Sequence, residues 1–486
     1  MEHVFTKQEI DKRFNDAKGK TLGEIDIAGD FERTLHNPKI TGIAGDVVEH
    51  SILGYASDTK QAPDIKIDGV DIEVKTTGVR GDYTKPKTLV AKERITITNV
   101  SPNRIKNETF EDSTLWDKLS RTLLAFYLYD SKTVVPASEY ANFRFLGYEL
   151  HAVSEADRKI IKNDWEIVRN FCASQSVIDK KDEAQAAAYS AAKKEMMYLE
   201  TAPGWKNGPR FAIKKTYANQ IIQEYFGKQA AAMSSAVSSY AELDAFLARQ
   251  SDKYKGMTLR EIFASLNLDE KKAKPKQAAH LLMAKILNGN SKNVESDSQF
   301  DLVKKSGLVT KIFVLDQKGN KKEDCKFNYR IDFDEFDNSD KDVHDTDVYD
   351  YFSNTHFLFA IFQNHGDKGI IENTFLGFKR LTFSDEYLEE NLVPVLSRLK
   401  ELVAGQEFRV WDKVNKFGNV VYNSNGLPRT ENNFPKSTEH PFFLRGSGSN
   451  SSNKPLKING YNCYQMQMWL HGNKLLELLN EQNFLQ

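Results

Sequence analysis

The sequence predicts an α/β (α+β) chain built as two tandem domains, the second a degenerate copy of the first. Three observations carry that expectation. The heptapeptide GKTLGEI (Gly19–Ile25) returns almost letter for letter as GMTLREI (Gly256–Ile262). After each copy the same features follow in the same order: a helix, an Asp-containing strand pair, an alternating strand and an aromatic strand. Segments with two-residue alternation are also interleaved with segments of helical spacing throughout the 486 residues. The expected bounds are 1–230 for the first domain, 231–255 for a linker and 256–486 for the second domain.

Each element has its own justification. Residues 6–18 have the spacing of a short helix, and GKTLGEI turns into a second one. GIAGDVVEHSILGY (Gly42–Tyr55) sets Val47, Val48, Ile52 and Leu53 at helical intervals and stops near Gly54. DIKID and VDIEVKTT alternate apolar and polar side chains about Gly69, as two strands of a hairpin do. TLVAKERITITNV (Thr88–Val100) and LLAFYLYD (Leu123–Asp130) alternate again. A helical region containing KNDWEIVRNFCASQ follows, and then an alanine-rich helix whose 184–197 stretch reads as core. FAIKKTYANQIIQEYF passes from strand to helix. In the second half the counterparts are AAHLLMAKILNG, FDLVKKSGLVTKIFVLD, CKFNYRIDFDEF and FSNTHFLFAIFQ.

Composition narrows the class. Hydrophobic residues at 40% and charged residues at 28% are those of a globular protein with real cores. A net charge of -1 gives no global basic field, which leaves room for a local basic channel. Cys172, Cys325 and Cys463 lie far apart without metal-ligand spacing, so neither a disulfide framework nor a structural zinc is expected, and a reducing cytoplasm fits. The N-terminal stretch is polar and charged, unlike a signal peptide, and no apolar run has the length of a membrane span.

The stretch APDIKIDGVDIEVKTTG (Ala62–Gly78) carries the chemistry. An acid-x-Lys triplet alone is commonly a solvated strand edge, and this chain also contains DIK, DKK and DEK. The hairpin context adds more. Asp64 and Glu73 on adjacent antiparallel strands can bring two carboxylates to one face. Lys75, two residues after Glu73, shares that face, and the Val74 carbonyl offers a further oxygen. Hydrolysis of a phosphodiester needs a hard cation to activate water, and Mg²⁺ favours one or two carboxylates plus waters. Lys75 would then orient or deprotonate the attacking water. Glu49, on the preceding helix, would support the metal or its water, and Lys118, before the aromatic strand, would reach the scissile phosphate.

These stretches resemble those of the MutH-like family, which includes the two-domain, Sau-type restriction endonucleases that cleave GATC. GDVVEHSILG is similar to the family's helix with Gly-x-x-x-Glu and places its glutamate at Glu49. PDIKIDGVDIEVKTT is similar to its Asp, short hairpin and Glu-hydrophobic-Lys, and places metal ligands at Asp64 and Glu73 and the catalytic lysine at Lys75. WDKLSRTLLAFYLYD carries the second lysine as Lys118, AKERITITNV supplies Lys92 and Arg94, and GPRFAIKKTYANQII resembles the stretch that lies against DNA. The hairpin is two residues longer than in the relatives, and the base-recognition segment is replaced by MMYLETAPGWKNGPR, with Lys206 in the corresponding loop.

The resemblance implies two restriction-endonuclease-like domains, each a central mixed sheet flanked by helices. It implies a Mg²⁺-dependent type II endonuclease in a restriction-modification system, cutting both strands at GATC or a related site. Double-stranded DNA is the partner, at a cleavage site in the first domain and an effector site in the second, with a transient dimer on DNA. Expected DNA contacts are Lys92, Arg94, Lys206, Arg210, Lys214, Lys215, Tyr217 and, in a Gly/Ser-rich loop of the second copy, Arg445 beside Gln465 and Gln467. Aligning the two hairpins on Gly69 and Gly307 sets Asp301 opposite Asp64, Lys311 opposite Glu73 and Phe313 opposite Lys75, with Met283 or Ala284 in place of Glu49. A second copy so altered has no Mg²⁺ site. A MutH-like repair nickase and a non-catalytic DNA-binding regulator with a vestigial site are the alternatives. The duplicated half argues against the first, and the intact Asp64, Glu73 and Lys75 set argues against the second.

Overall fold

A computed structural model describes residues 3–38, 40–56, 62–83, 85–131, 135–227, 238–266, 307–320, 323–337, 342–366, 369–447 and 451–485. Met283, Ala284, Asp301 and the AAHLLMAKILNG stretch lie outside these. Contacts divide the chain into two compact units, one formed mainly by residues 1–243 and the other mainly by 244–290 with 308–486. Within the stretch expected as a linker, Tyr240–Tyr254 is helical. Among the described residues no helix is long and apolar enough to cross a membrane, and the three cysteines are free thiols.

The first unit is built on a mixed sheet. Its strands are β1 (Val4–Phe5), β2 (Ile65–Ile67), β3 (Val70–Arg80), β4 (Val90–Ala91), β6 (Arg121–Leu128) and β7 (Phe145–Ala152), in the order β1-β2-β3-β6-β7 with β4 on β3. The β2–β3 hairpin is antiparallel, β3 and β6 run parallel, and β6 and β7 are antiparallel. One face is closed by a core of Ile10 and Phe14 from the helix Lys7–Ala17, with Val47, Val48, Ile52, Ile72, Val74, Leu123 and Ala125. Thr6 starts that helix with a capping box to Glu9, which satisfies the first free amides. A second antiparallel sheet joins β5 (Ile95–Asn99), β9 (Arg210–Ile213) and β8 (Leu199–Ala202) in the order β5-β9-β8. The alternation of Thr88–Val100 therefore divides between two sheets, with Lys92, Glu93 and Arg94 at the crossing. The alanine-rich helix spans Glu183–Lys193 and buries only Tyr189, so its alanines are not core. Met196 and Met197 beyond it are buried instead.

The second unit repeats this plan. β10 (Val309–Leu315) runs parallel to β12 (Phe357–Gln363), which is antiparallel to β13 (Thr374–Leu381). β11 (Cys325–Arg330), β19 (Gln465–Leu470) and β16 (Phe442–Ser447) form the smaller sheet in the order β11-β19-β16. Two further pairs are β14 (Val410–Asp412) with β15 (Thr430–Asn432) and β17 (Leu456–Ile458) with β18 (Tyr461–Cys463).

The repeated heptapeptide does the same work in both units. Thr21 and Thr258 each close a capping box, with Glu24 and Glu261. Gly19 N–H donates to Phe145 C=O at 2.9 Å, and Gly256 N–H donates to Phe375 C=O at 2.9 Å. Two residues on, each unit places a glycine with φ +135° opposite a bulge: Gly147 pairs with Phe126, and Gly377 pairs with Ile361. A Cβ at either glycine would meet an aromatic side chain within 3 Å, Tyr225 in the first unit and Phe484 in the second.

These anchors fix the equivalence of the strands and correct the alignment drawn on the hairpin glycines. Phe126 pairs with Thr77 on β3, and Ile361 pairs with Phe313 on β10. Counting back, Lys311 stands where Lys75 stands, paired with Phe359 as Lys75 is with Leu124, and Val309 stands where Glu73 does. Lys311 is therefore not opposite Glu73, nor Phe313 opposite Lys75. Gly307 lies two residues closer to the equivalent position than Gly69 does, so a glycine-anchored alignment slips by two. Because strand side chains alternate, that slip keeps the face and misassigns every residue on it.

Candidate active site

The turn of the β2–β3 hairpin is Asp68–Gly69, both at positive φ (49° and 81°), a conformation in which Asp is tolerated and Gly is at ease. The resulting register pairs Ile65 with Ile72 and leaves Asp64 just beyond the paired segment, where its Oδ2 accepts the Val74 N–H at 2.8 Å. Ile72 and Val74 point into the core. Glu73, Lys75 and Thr77 consequently share the opposite face.

Glu73 is 1% exposed. Lys75 Nζ donates to its Oε1 at 2.5 Å, and Lys118 Nζ donates to both carboxylate oxygens at 3.0 and 2.9 Å. Lys118 comes from the helix Thr114–Leu119, whose N-cap Ser113 accepts the Trp116 N–H. That helix leads directly into β6, the parallel neighbour of β3, so the two lysines approach one carboxylate from different elements. Burial pushes the Glu73 carboxyl upward and Asp64 adds to this, while Lys75 and Lys118 pull it back. The structure thus brings together Asp64, Glu73, Lys75 and Lys118. Glu49 lies half-buried on the π-helical turn Val48–Leu53, which continues the helix Ile43–Val47 packed on the other face of the sheet.

Strand register extends the Glu73 face. Glu73 pairs with Thr122 and then His151, and Lys75 pairs with Leu124 and then Glu149. Glu149 has a buried Oε2, and burial together with Glu224 pushes its carboxyl up to about 7. Thr122, Glu149 and His151 are not evident as neighbours of Glu73 and Lys75 from the sequence. The alternation of β7 (FLGYELHA) was legible, but which strand lies beside β6, and in what register, is set by tertiary pairing.

Two carboxylates are the donor type a hard divalent cation takes. Among the described residues no group of three or more His, Cys, Asp or Glu clusters as a cage, but two hard carboxylates close enough to repel one another remain. That is the donor count Mg²⁺ uses when water and substrate oxygens complete its shell.

The expected DNA contacts divide. Arg210, on β9, and Lys206 are exposed, with Lys206 paired to Glu183 at 2.9 Å. Lys215 is half-buried at the start of the helix Lys215–Gly227, and Arg94 reaches Glu200 at 3.3 Å. Lys92 donates to Tyr140 Oη at 2.7 Å and lies over the Tyr129 and Tyr140 rings at 4.8 and 5.2 Å. Two residues are corrected. Tyr217 is 1% exposed and stacks on Tyr198 at 4.4 Å, and Lys214 is buried with Nζ donating to the Met196 carbonyl at 2.5 Å. Both point inward because Lys214 and Tyr217 lie on the buried stripe of the helical turn that follows β9, with Ala218, Ile221 and Ile222, so neither offers a surface to DNA. Asp164, which the sequence analysis did not single out, pins the entry to β8 by accepting the amides of Met197, Tyr198 and Leu199 at 2.7–2.8 Å. In the second unit, Arg445 is exposed, bonded to Asp324 at 2.6 Å and flanked by the Phe443 and Trp469 rings, while its partner across the register, Gln467, is buried.

Two comparisons with known proteins bear on the chain. The family described as DNA mismatch repair enzyme MutH matches residues 53–164, a span holding Asp64, Glu73, Lys75 and Lys118 but ending before β8 and β9. The chain is also 25% identical over 501 aligned residues to the type II restriction enzyme Sau3AI of Staphylococcus aureus, covering 95% of this chain and 94% of that protein.

Proposed function

Because the chain belongs to the MutH-like, Sau-type restriction endonucleases, we propose that it cuts both strands of duplex DNA at a short site, GATC or a related one, using Mg²⁺. The observation that carries this reading is the buried Glu73 carboxylate held between Lys75 and Lys118, with Asp64 beside it.

Asp64 and Glu73 would hold the metal, which when bound supplies Lewis acidity to a water and to the phosphate. Lys118 fixes the Glu73 carboxylate through both oxygens, so its orientation is set before substrate arrives. Lys75, half-buried and donating to the same carboxylate, is the group that orients the attacking water and offsets negative charge growing on phosphorus. Glu49, on the neighbouring helical turn, is the further carboxylate proposed to support the metal or its water, although its helix packs on the core face of the sheet. Arg94, Lys206, Arg210 and Lys215 are the proposed phosphate contacts, and Lys92, bonded to Tyr140, holds the segment just before Arg94.

The second domain is proposed as an inactive effector-DNA domain with Arg445 among its contacts, in a chain that acts as a transient dimer on DNA. In support, the position equivalent to Glu73 is Val309, and the helix before β12, Asp347–Asn354, contains no lysine to match Lys118.

The test is plasmid cleavage by purified full-length protein, with Mg²⁺ and with chelator. Linear product only with metal, formed faster from plasmids with two sites than with one, is the expected result. Absent cutting would reject the nuclease assignment, and metal-independent cutting would reject the role given to Mg²⁺. Accumulated open circles would point to a nickase, and equal rates on one- and two-site plasmids would remove the effector role.

A further inference from the structure

The units differ most between the mixed sheet and the smaller sheet. Both pass from their last mixed-sheet strand (β7 or β13) through two helices into a three-stranded sheet, but only the second unit inserts an arm of β structure on the way. β14 pairs with β15, Lys413 and Val421 bond across the first hairpin, and Val421 and Arg429 bond across the second. The tips are tight. Asn415 Oδ1 accepts the amides of Phe417 and Asn419 at 2.9 and 3.1 Å, and Gly418 and Gly426 take positive φ.

From Arg409 to Asn433 not one residue is buried. The arm is held at its base, where Phe408 and Phe434 are both buried and stack at 4.4 Å, Val410 packs against the core and Lys436 lies over Trp411. A segment with no core of its own contributes little to folding, yet this one displays Trp411, Val414, Phe417, Tyr422 and Leu427 to solvent, with Phe417 at the tip 75% exposed. Arg409, Lys413, Lys416 and Arg429 are interspersed with these, against Asp412 and Glu431, in a chain whose net charge is -1.

We propose that the arm of residues 409–432 is a duplex-DNA contact, its ribbon entering a groove with Phe417 at the tip and with Lys416 and Arg429 on phosphates. A two-stranded antiparallel ribbon has the width of the DNA major groove, and a local excess of cations among exposed aromatic faces complements a phosphate-lined groove more closely than it does an acidic or apolar protein surface. The inference rests on the reading that this chain acts on DNA, and it goes further by naming a contact that the first unit lacks.

The test uses the full chain carrying K416A, F417A and R429A together, all at exposed positions. Binding to a duplex bearing the target site is measured across a salt series, alongside cleavage at saturating DNA and sedimentation. Affinity is expected to fall by about 10-fold or more, and the slope of log K against log salt to drop by about two, one for each cation removed. The cutting rate at saturating DNA stays at the wild-type value, because Glu73 and Lys75 are untouched. Unchanged affinity and slope would overturn the proposal, and so would unchanged DNA binding with altered sedimentation, which would make the arm a protein interface. A wild-type protein that binds DNA but fails to cut would defeat the nuclease reading alone, since the arm is scored by binding.

Discussion

Lys75 and Lys311 occupy the same register position on equivalent strands, and their fates differ because of the residue two places before each. Glu73 gives Lys75 a carboxylate at 2.5 Å. Val309 gives Lys311 nothing to pair with, so its Nζ turns to the Lys326 carbonyl at 2.9 Å and lies 5.4 Å from the Phe327 ring centre, where burial lowers its pKa. The same sheet supports both arrangements. Catalytic capacity on this fold is therefore a property of the charge set mounted on one face, and a retained lysine does not by itself mark a site.

The largest effects should come from dismantling that set in the first unit. Glu73→Gln keeps an acceptor for Lys118 but removes a metal-binding charge. Cleavage is expected to fall by about 1000-fold or more, with DNA binding in Ca²⁺ or without metal little changed. Near-wild-type cutting by this variant would show that the first strand is no more a site than the second. Lys75→Ala should cost about 100- to 10,000-fold in the single-turnover cutting rate, the range for a group that manages a proton or charge in the transition state. A loss of affinity with the rate intact would instead make Lys75 a phosphate contact, and the contrast with Lys311 would then be one of exposure.

How far the sequence reached follows from the range of the interactions involved. The hairpin, the repeated heptapeptide and the Asp64, Glu73, Lys75 grouping are local, written in alternation and turn residues within about a dozen positions, and they are legible in the sequence. Lys118 is expected from the sequence at the scissile phosphate, and its convergence on Glu73 is not legible there, because the parallel pairing of β3 with β6 is not encoded by either strand alone. For the same reason Thr122, Glu149 and His151 were invisible. The second-copy alignment failed where it relied on a turn glycine, because a turn tip tolerates length changes and a paired strand does not. Tyr217 and Lys214 were misplaced because an aromatic-and-basic stretch has the same composition whether it covers DNA or packs under a helix. Only burial separates the two.

A second pair of equivalent positions sharpens the comparison through pH. Two residues past the bulge glycine, β7 carries Glu149 and β13 carries Lys379. Burial pushes Glu149 up to about 7 and Lys379 down, with Lys379 Nζ donating to the Leu479 carbonyl at 2.8 Å. For Glu149 the folded state holds the proton more tightly than the unfolded one, so stability present at low pH is lost as pH rises from the ordinary carboxylate range through about 7. Glu149→Gln should remove about 2 kcal/mol of that decline, seen as a flatter dependence of Tm on pH between 5 and 8. An unaltered pH profile would mean that Glu149 is solvated in the folded protein and that the two positions are not opposites.

The smallest expected effect concerns Lys311, and its sign is the reverse. A lysine whose folded pKa lies below 10.5 has shed its proton in the native state over a range where the unfolded chain still holds it. Stability therefore rises with pH toward 10.5 and levels off above it. Lys311→Met removes the titrating group and should reduce that rise, read as a smaller gain in Tm as pH approaches 10.5, with Lys379 supplying what remains. Near neutral pH the variant should differ little from wild type. Relief from burying an amine is offset there by the lost hydrogen bond to Lys326, each term being about 1 kcal/mol. A clear loss of stability at neutral pH, together with an unchanged alkaline rise, would show that Lys311 is favourably paired in the second unit. It would then have kept an electrostatic role like that of Lys75 despite the valine before it.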